Sequence, residues 1–286
     1  VSSGKLAMRR KTITQIQAHK KRREPLVMLT CYDATFARLV ERGGADLILV
    51  GDSLGMVIQG HEHTLPVTLD EMIYHCRAVA RGSERVHIVG DLPFGSYQGS
   101  VEDAVRSGIR LMKEGGVQSV KLEGGARVIE SVARLTEAGV PVMGHLGLTP
   151  QSVHQLGGYK LQGRSRDAAE QLLRDALELE RAGAYAIVLE AVPTQLAARV
   201  TEALSIPTIG IGAGAECDGQ VLVIYDLLGL DDRFHPSFLK KYLDLSAEVT
   251  HAVERYTAEV RTREFPGIEH THQGAPELSA INVELT

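Results

Sequence analysis

Short apolar runs punctuate this chain at 26–31, 46–51, 86–90, 117–122, 140–144, 185–189, 206–210 and 221–225, several of them rich in Val and Ile. Most are followed by a segment of helical periodicity, and that alternation is the mark of repeated βα units around a parallel sheet. Helices are predicted at 33–42, 69–82, 127–138, 166–182, 194–204 and 236–260, with another opened by Ser100 and Asp103 and stopped at Gly115-Gly116. Thr68-Leu69-Asp70-Glu71 reads as a capping box, in which the Thr hydroxyl and the Glu carboxylate each take a backbone N–H at a helix start. Two connections, 53–67 and 146–165, are long for a compact domain, and loops of that length are functional lids or disordered segments.

The runs end in functional residues: LILVGDS (47–53), HIVGD (87–91), SVKLEGG (119–125) and AIVLE (186–190). In a closed parallel barrel, chemistry collects where strands end. Asp52, Asp91, Lys121, Glu123 and Glu190 then face one another across one mouth. An open doubly wound sheet would serve its ligand from few strand ends, whereas at least five ends are polar here, which favours closure. The expected fold class is α/β, a single-domain (βα)8 TIM barrel over 11–265, with an N-terminal extension at 1–10 and a C-terminal tail at 266–286.

Composition changes this picture little. At 286 residues and 44% hydrophobic, the chain can bury one substantial core, and a net charge of −5 with interspersed signs leaves no nucleic-acid footprint. The basic stretch RRKTITQIQAHKKRR (9–23) is expected to be a solvated amphipathic helix. No apolar run approaches the roughly 20 residues of a membrane span, and VSSGKLAM (1–8) lacks a signal-peptide hydrophobic region. Cys31, Cys76 and Cys217 are odd in number and widely spaced, as in a reducing cytosol, so a cytoplasmic location is expected.

Side chains alternate along a strand, so Lys121 and Glu123 share one face and Val120 and Leu122 the other. A Lys–Glu pair alone is as well read as a structural ion pair. Asp52 and Asp91 at neighbouring strand ends weaken that reading, because clustered carboxylates in a dry site repel unless a cation neutralises them. Asp52, Asp91 and Glu123 offer only oxygen, which suits Mg²⁺ better than zinc. A 2-oxo acid could complete such a site, with Lys121 and Ser53 on its carboxylate and oxygen and Glu190 free to act as a base. His145 reads equally as a core histidine or a functional one. The His61-Glu62-His63 triplet lacks the i, i+4 spacing of a zinc helix and reads as a solvated lid. IGIGAG (209–214) imitates a dinucleotide fingerprint but is better read as close backbone approach at the seventh strand end.

Over approximately residues 11–265, the ordered segments MLTCYDATFA, VGDSLGMVIQGHEHTLPVT, DLPFGSY, VKLEGG, GHLGLTPQSVHQLGGYKLQGRS, LEAVP and IGIGAGAECDGQVLV resemble the ketopantoate hydroxymethyltransferase family. The resemblance implies a (βα)8 barrel, Mg²⁺, and one-carbon transfer from 5,10-methylenetetrahydrofolate to 3-methyl-2-oxobutanoate, giving 2-dehydropantoate for pantothenate synthesis. Carried over by motif, it implies metal positions at Asp52, Asp91 and Glu123, substrate contacts at Asp52, Ser53, Asp91 and Lys121, and a proton acceptor at Glu190. It also implies a homo-oligomer, commonly a decamer. Three alternatives stand beside it: another Mg²⁺-dependent 2-oxo-acid aldolase or lyase, a Schiff-base aldolase using Lys121, and a non-catalytic keto-acid-binding barrel.

Overall fold

A computed structural model of the protein describes residues 10–231 and 236–272. Most of the expected extension at 1–10 and of the tail at 266–286 therefore lies outside the described residues. Eight strands, β1 (Leu26–Thr30), β2 (Leu47–Val50), β3 (His87–Asp91), β4 (Ser119–Glu123), β5 (Val142–Gly147), β6 (Ala186–Glu190), β7 (Thr208–Ile211) and β8 (Gly219–Leu222), form a closed barrel in sequence order. Every pair is parallel, and β1 pairs with β8 to close the ring.

The apolar residues divide by strand face, as the period-two geometry requires. Outward-facing Ile48, Ile88, Val120 and Leu122 pack with helix residues such as Met72, Leu111 and Leu135 in a continuous sheet–helix layer. Inward-facing Met28, Leu49, Val89, Met143 and Val188 fill the barrel itself. The helices start and stop where the chain offers caps. Thr68 and Glu71 form the expected capping box, Ser100 accepts from the Asp103 N–H, and Gly116 ends the Val101–Gly115 helix at φ 76°.

Three expectations need correction. The stretch at 9–23 forms a helix, Ile13–Arg22, with a capping box of Thr12 and Gln15, but it is not merely solvated. Its Ile16 is 0% exposed and plugs the N-terminal end of the barrel against Leu26, Leu47, Tyr185 and Ile209. Lys20 pins the helix at Asp218 (2.8 Å), and the Arg10 guanidinium bonds to Ser83 Oγ and to the carbonyls of Ala80, Ser83 and Val86. Basic residues hid this role because their charge is spent at the rim while one isoleucine enters the core.

The eighth strand occupies Gly219–Leu222 and not 221–225, since the apolar run continues into a short helix, Ile224–Leu228. Periodicity cannot separate a strand from an apolar helix that follows it directly. The last helix is Leu245–Thr262, shorter at its start than the predicted 236–260. Phe238, Leu239, Tyr242 and Leu243 imitate helical spacing, but the Tyr242 N–H is drawn to the Leu227 carbonyl (2.9 Å) and the segment folds back as turns. Both long connections carry short ordered turns, Leu54–Val57 in the first and Pro150–Ser152 with Val153–Leu156 in the second.

Candidate active site

Strand register builds the site. Asp91 lies beside Lys121, Glu123 beside His145, and Gly147 beside Glu190, so charged side chains from four consecutive strands meet at the C-terminal mouth. Asp52 and Ser53 join them from the turn that follows β2. Asp52, Ser53, Asp91, Lys121, Glu123 and Glu190 together line one cavity of about 500 Å³, with Met56 of the first long connection and Tyr159 and Lys160 of the second over it. Every site residue expected from the sequence is thus brought to one chamber.

The contacts are close. Lys121 Nζ lies 2.7 Å from Asp91 Oδ1 and 4.0 Å from Glu123 Oε1. The Asp52 backbone N–H donates to Asp91 Oδ2 at 3.2 Å, and the Ser53 hydroxyl meets the buried Tyr32 hydroxyl at 2.9 Å. His145 is bracketed by Glu123 Oε1 at 3.5 Å from Nδ1 and Glu190 Oε2 at 3.3 Å from Nε2. It is no inert core histidine, since its ring joins the two acids on either side of it.

Two residues with no individual role in the sequence reading complete the site. The Pro150–Ser152 turn delivers Gln151, whose backbone N–H donates to Glu123 Oε2 (3.0 Å) and whose side-chain amide donates to Asp52 Oδ2 (2.8 Å). Tyr97 donates its hydroxyl to Gln151 Oε1 (2.7 Å) and accepts from the Glu123 N–H (3.1 Å). Gln151 therefore spaces two carboxylates that are far apart in sequence. Both residues fall inside segments flagged as motifs, GLTPQS and DLPFGSY, but an uncharged side chain in a loop carries no pattern that predicts its aim.

Electrostatics set the protonation states. Burial, with the Asp91 and Glu123 charges, pushes the Asp52 carboxyl well above the usual range, and burial raises Asp91 despite the Lys121 ammonium. Burial raises Glu123 too, but hydrogen bonding to His145, the Lys121 charge and the Gln151 N–H outweigh it and leave that carboxyl low. Burial disfavours the Lys121 ammonium, yet Asp91, Glu123 and Asp52 together raise its pKa above the ordinary lysine value. Burial and Lys121 pull His145 down, while Glu123 and Glu190 carry it up to about 9. The 3.1 Å approach of Lys121 Nζ to His145 Nδ1 would by itself favour a neutral ring. Two carboxylates against one ammonium decide for the imidazolium.

Among the described residues, no three acidic, histidine or cysteine side chains converge into a closed metal nest. The fit to a hard divalent ion is one of charge and donor type. Four carboxylates face one ammonium and one imidazolium, and burial first, with acidic neighbours second, raises Asp52 and Asp91, a cost that a divalent cation would relieve. Asp52, Asp91 and Glu123 are the oxygen donors available for it.

The remaining motifs take other places. His61 and Glu62 are exposed, and His63 meets His154 of the second lid edge to face at 5.4 Å between ring centroids, so the triplet belongs to the lids. IGIGAG ends β7 and runs into the turn beyond it without a helix, and its Gly212 at φ 61° lets Phe238 pack on the backbone.

The ketopantoate hydroxymethyltransferase family model matches residues 10–268. A relative from Anaeromyxobacter sp. (strain Fw109-5), named 3-methyl-2-oxobutanoate hydroxymethyltransferase, is 56% identical over 275 residues, 95% of this chain and 90% of its own length. Relatives of the same name from Magnetococcus marinus and Syntrophotalea carbinolica are 57% and 53% identical, over 89% and 92% of this chain and 95% and 98% of their own. Among solved structures, a phosphonopyruvate hydrolase (12% identity, 92% of each chain, TM-score 0.59) and a 2,3-dimethylmalate lyase (14% identity, 90% of this chain and 89% of that one, TM-score 0.58) share the barrel fold. With the matched span covering the whole barrel and both lids over its mouth, the chain belongs to the ketopantoate hydroxymethyltransferase family.

Proposed function

We propose that this protein transfers a one-carbon unit from 5,10-methylenetetrahydrofolate to 3-methyl-2-oxobutanoate, with water supplying the hydroxyl oxygen, giving 2-dehydropantoate and tetrahydrofolate in pantothenate synthesis. The observation that carries this reading is the line of Lys121, Glu123, His145 and Glu190 across one mouth: a cation for the substrate carboxylate and, across the ring of His145, a carboxylate set to take a proton. The relatives' names support the same keto acid.

Asp52, Asp91 and Glu123 would hold Mg²⁺, which when bound supplies a Lewis acid for the keto group. Lys121, kept protonated by three acids, binds the substrate carboxylate with the Ser53 hydroxyl, which Tyr32 orients. Glu190 takes the proton from C3; water releases the donor's methylene at the formaldehyde level, with both C–N bonds broken and tetrahydrofolate leaving, and the enolate carbon adds to that carbon, whose oxygen takes up a proton as the new hydroxyl. His145 positions Glu190 through its Nε2 edge. A Schiff base at Lys121 needs a free amine, which the surrounding carboxylates suppress. The apolar inner wall of Leu49, Val188, Ile211 and Val221 excludes water from the branched end of the keto acid.

The same reading places the enzyme in the cytoplasm as a homo-oligomer. All three cysteines are free and buried, and no helix among the described residues is long and apolar enough to cross a membrane. The Leu245–Thr262 helix buries none of its residues in the chain and exposes Val249, Val253, Tyr256 and Val260 at one-face spacing, apolar surface suited to a second copy. The family's decamer is the expected size.

The test is deuterium exchange at C3 of 3-methyl-2-oxobutanoate, followed by folate-dependent product formation. Exchange and transfer that both require Mg²⁺, and that fall at least about a hundredfold in Asp52→Ala, Asp91→Ala or Glu123→Ala, are expected. Full turnover in chelator-treated protein removes the metal from the proposal.

A further inference from the structure

Opposite the charged wall, the chamber is lined by two carboxylates that the reaction as drawn does not use, Asp226 and Asp231. Asp226 sits just beyond β8, four strands around the barrel from Lys121 and Glu123 on β4. It is only 8% exposed and lines the same cavity. Its side chain makes no hydrogen bond and no ion pair with any described residue. A buried carboxylate costs free energy unless donors satisfy it, and a loss of that kind in a binding chamber is offset when a ligand brings the donors.

The surroundings state what kind of ligand. Val223, Pro236 and Phe238 line the chamber around Asp226, and the Phe238 ring lies against the Gly212 backbone, where even a β-carbon would come within 2.9 Å of it. This side of the chamber thus offers an aromatic ring, apolar neighbours and the buried Asp226 carboxylate, with Asp231 lining the same chamber. A flat heterocycle that presents two adjacent N–H donors on one edge matches that set. The 2-amino-4-oxo ring of a reduced pterin does so, with its ring N3–H and exocyclic amino group parallel and spaced for the two carboxylate oxygens. Burial and the Asp231 charge, opposed by the Lys241 charge, push the Asp226 carboxyl up to about 6.

We propose that Asp226 binds the amino-oxo edge of the one-carbon donor's pterin, with Phe238 against the ring face, an inference that rests on the folate-dependent transfer proposed above. The keto acid and the donor then approach from opposite walls of one chamber, and Asp226 sets the donor's affinity and orientation without touching the keto acid.

The test uses the full chain with Mg²⁺ and compares wild type with Asp226→Asn, which keeps the side chain's shape but replaces one acceptor by a donor. The KM for 5,10-methylenetetrahydrofolate should rise about ten- to a hundredfold, and this loss should exceed any loss in folate-independent C3 exchange by at least about tenfold. A second arm needs no variant: wild type should bind tetrahydrofolate at least about tenfold more tightly than its analogue with methyl in place of the 2-amino group. Equal losses in exchange and transfer would make Asp226 a structural residue and overturn the proposal. Equal affinity for the two pterins would overturn it as well. Absence of any folate-dependent transfer by wild type, with exchange intact, would instead refute the reading on which it rests.

Discussion

At the scale of single residues, the site is a problem in charge placement. Lys121 and Glu123 share a strand face, Asp91 and His145 are set beside them by register, and Glu190 reaches His145 from the next strand. All but the half-buried Glu190 are buried to a degree that would be costly alone, and each is kept by opposite charges within about one hydrogen-bond length. The consequence is most direct for Glu190. Glu190→Gln preserves shape and removes basicity, so it should still bind the keto acid while C3 deuterium exchange falls on the order of a hundredfold or more. Isotope exchange followed by NMR, alongside a binding isotherm, separates the two effects, and exchange at the wild-type rate would remove Glu190 as the base. Lys121 should yield no reduced adduct after borohydride treatment with the keto acid, since its amine is held protonated; mass spectrometry of the Lys121 peptide reads this directly.

At the scale of elements, strands supply the chemistry and helices hold the strands. The Ile13–Arg22 helix is the instructive one, since it closes the barrel end remote from the site with a single fully buried side chain. Ile16→Ala opens a cavity in that floor and should destabilise the fold by about 2–5 kcal/mol, read by denaturant unfolding with the slope unchanged. Activity per folded molecule should hold, because Ile16 plugs the barrel end opposite the strand ends that carry the charged residues. A loss under about 0.5 kcal/mol would mean that the helix is not part of the core. The lids behave differently. Leu54, Val67 and Leu146 anchor them in the sheet–helix core, and side-chain contacts between the loops, Tyr159 hydroxyl with Met56 sulfur at 3.8 Å and His63 with His154, join one lid to the other.

At the scale of the whole molecule, two properties belong to no single element. Acid stability depends on the polar floor of the barrel, where His87 joins the Lys11 carbonyl (2.9 Å) and the Ser119 hydroxyl (2.8 Å), the latter in contact with Tyr185. Burial holds the His87 pKa down, to about 4 against an ordinary value of 6.5. The unfolded chain therefore binds the extra proton first as pH falls. This contribution is complete above pH 6.5 and is lost progressively as pH falls through 4, by up to about 3 kcal/mol. His87→Gln should flatten the pH dependence of thermal unfolding in that window, and an unchanged profile would assign it elsewhere. Assembly is the second property. Light scattering of active protein should report several 31.0 kDa chains, and a fully active monomer would remove the proposed oligomer without touching the chemistry.

The barrel, its strand order and the shared mouth of Asp52, Asp91, Lys121, Glu123 and Glu190 were readable from the chain, because βα alternation and two-residue periodicity are local rules that act on neighbouring residues. Local rules were also enough for the caps at Thr68 and Ser100. They were not enough for Ile16 in the floor, the fold-back at 236–244, the bridging of Asp52 and Glu123 by Gln151, or Asp226 facing the catalytic wall. Those depend on which distant segments arrive at one place, Gln151 and Asp52 being 99 positions apart. The tertiary structure alone decided them, since burial and hydrogen-bond partners across the barrel are set by closure of the ring and leave no period in the sequence.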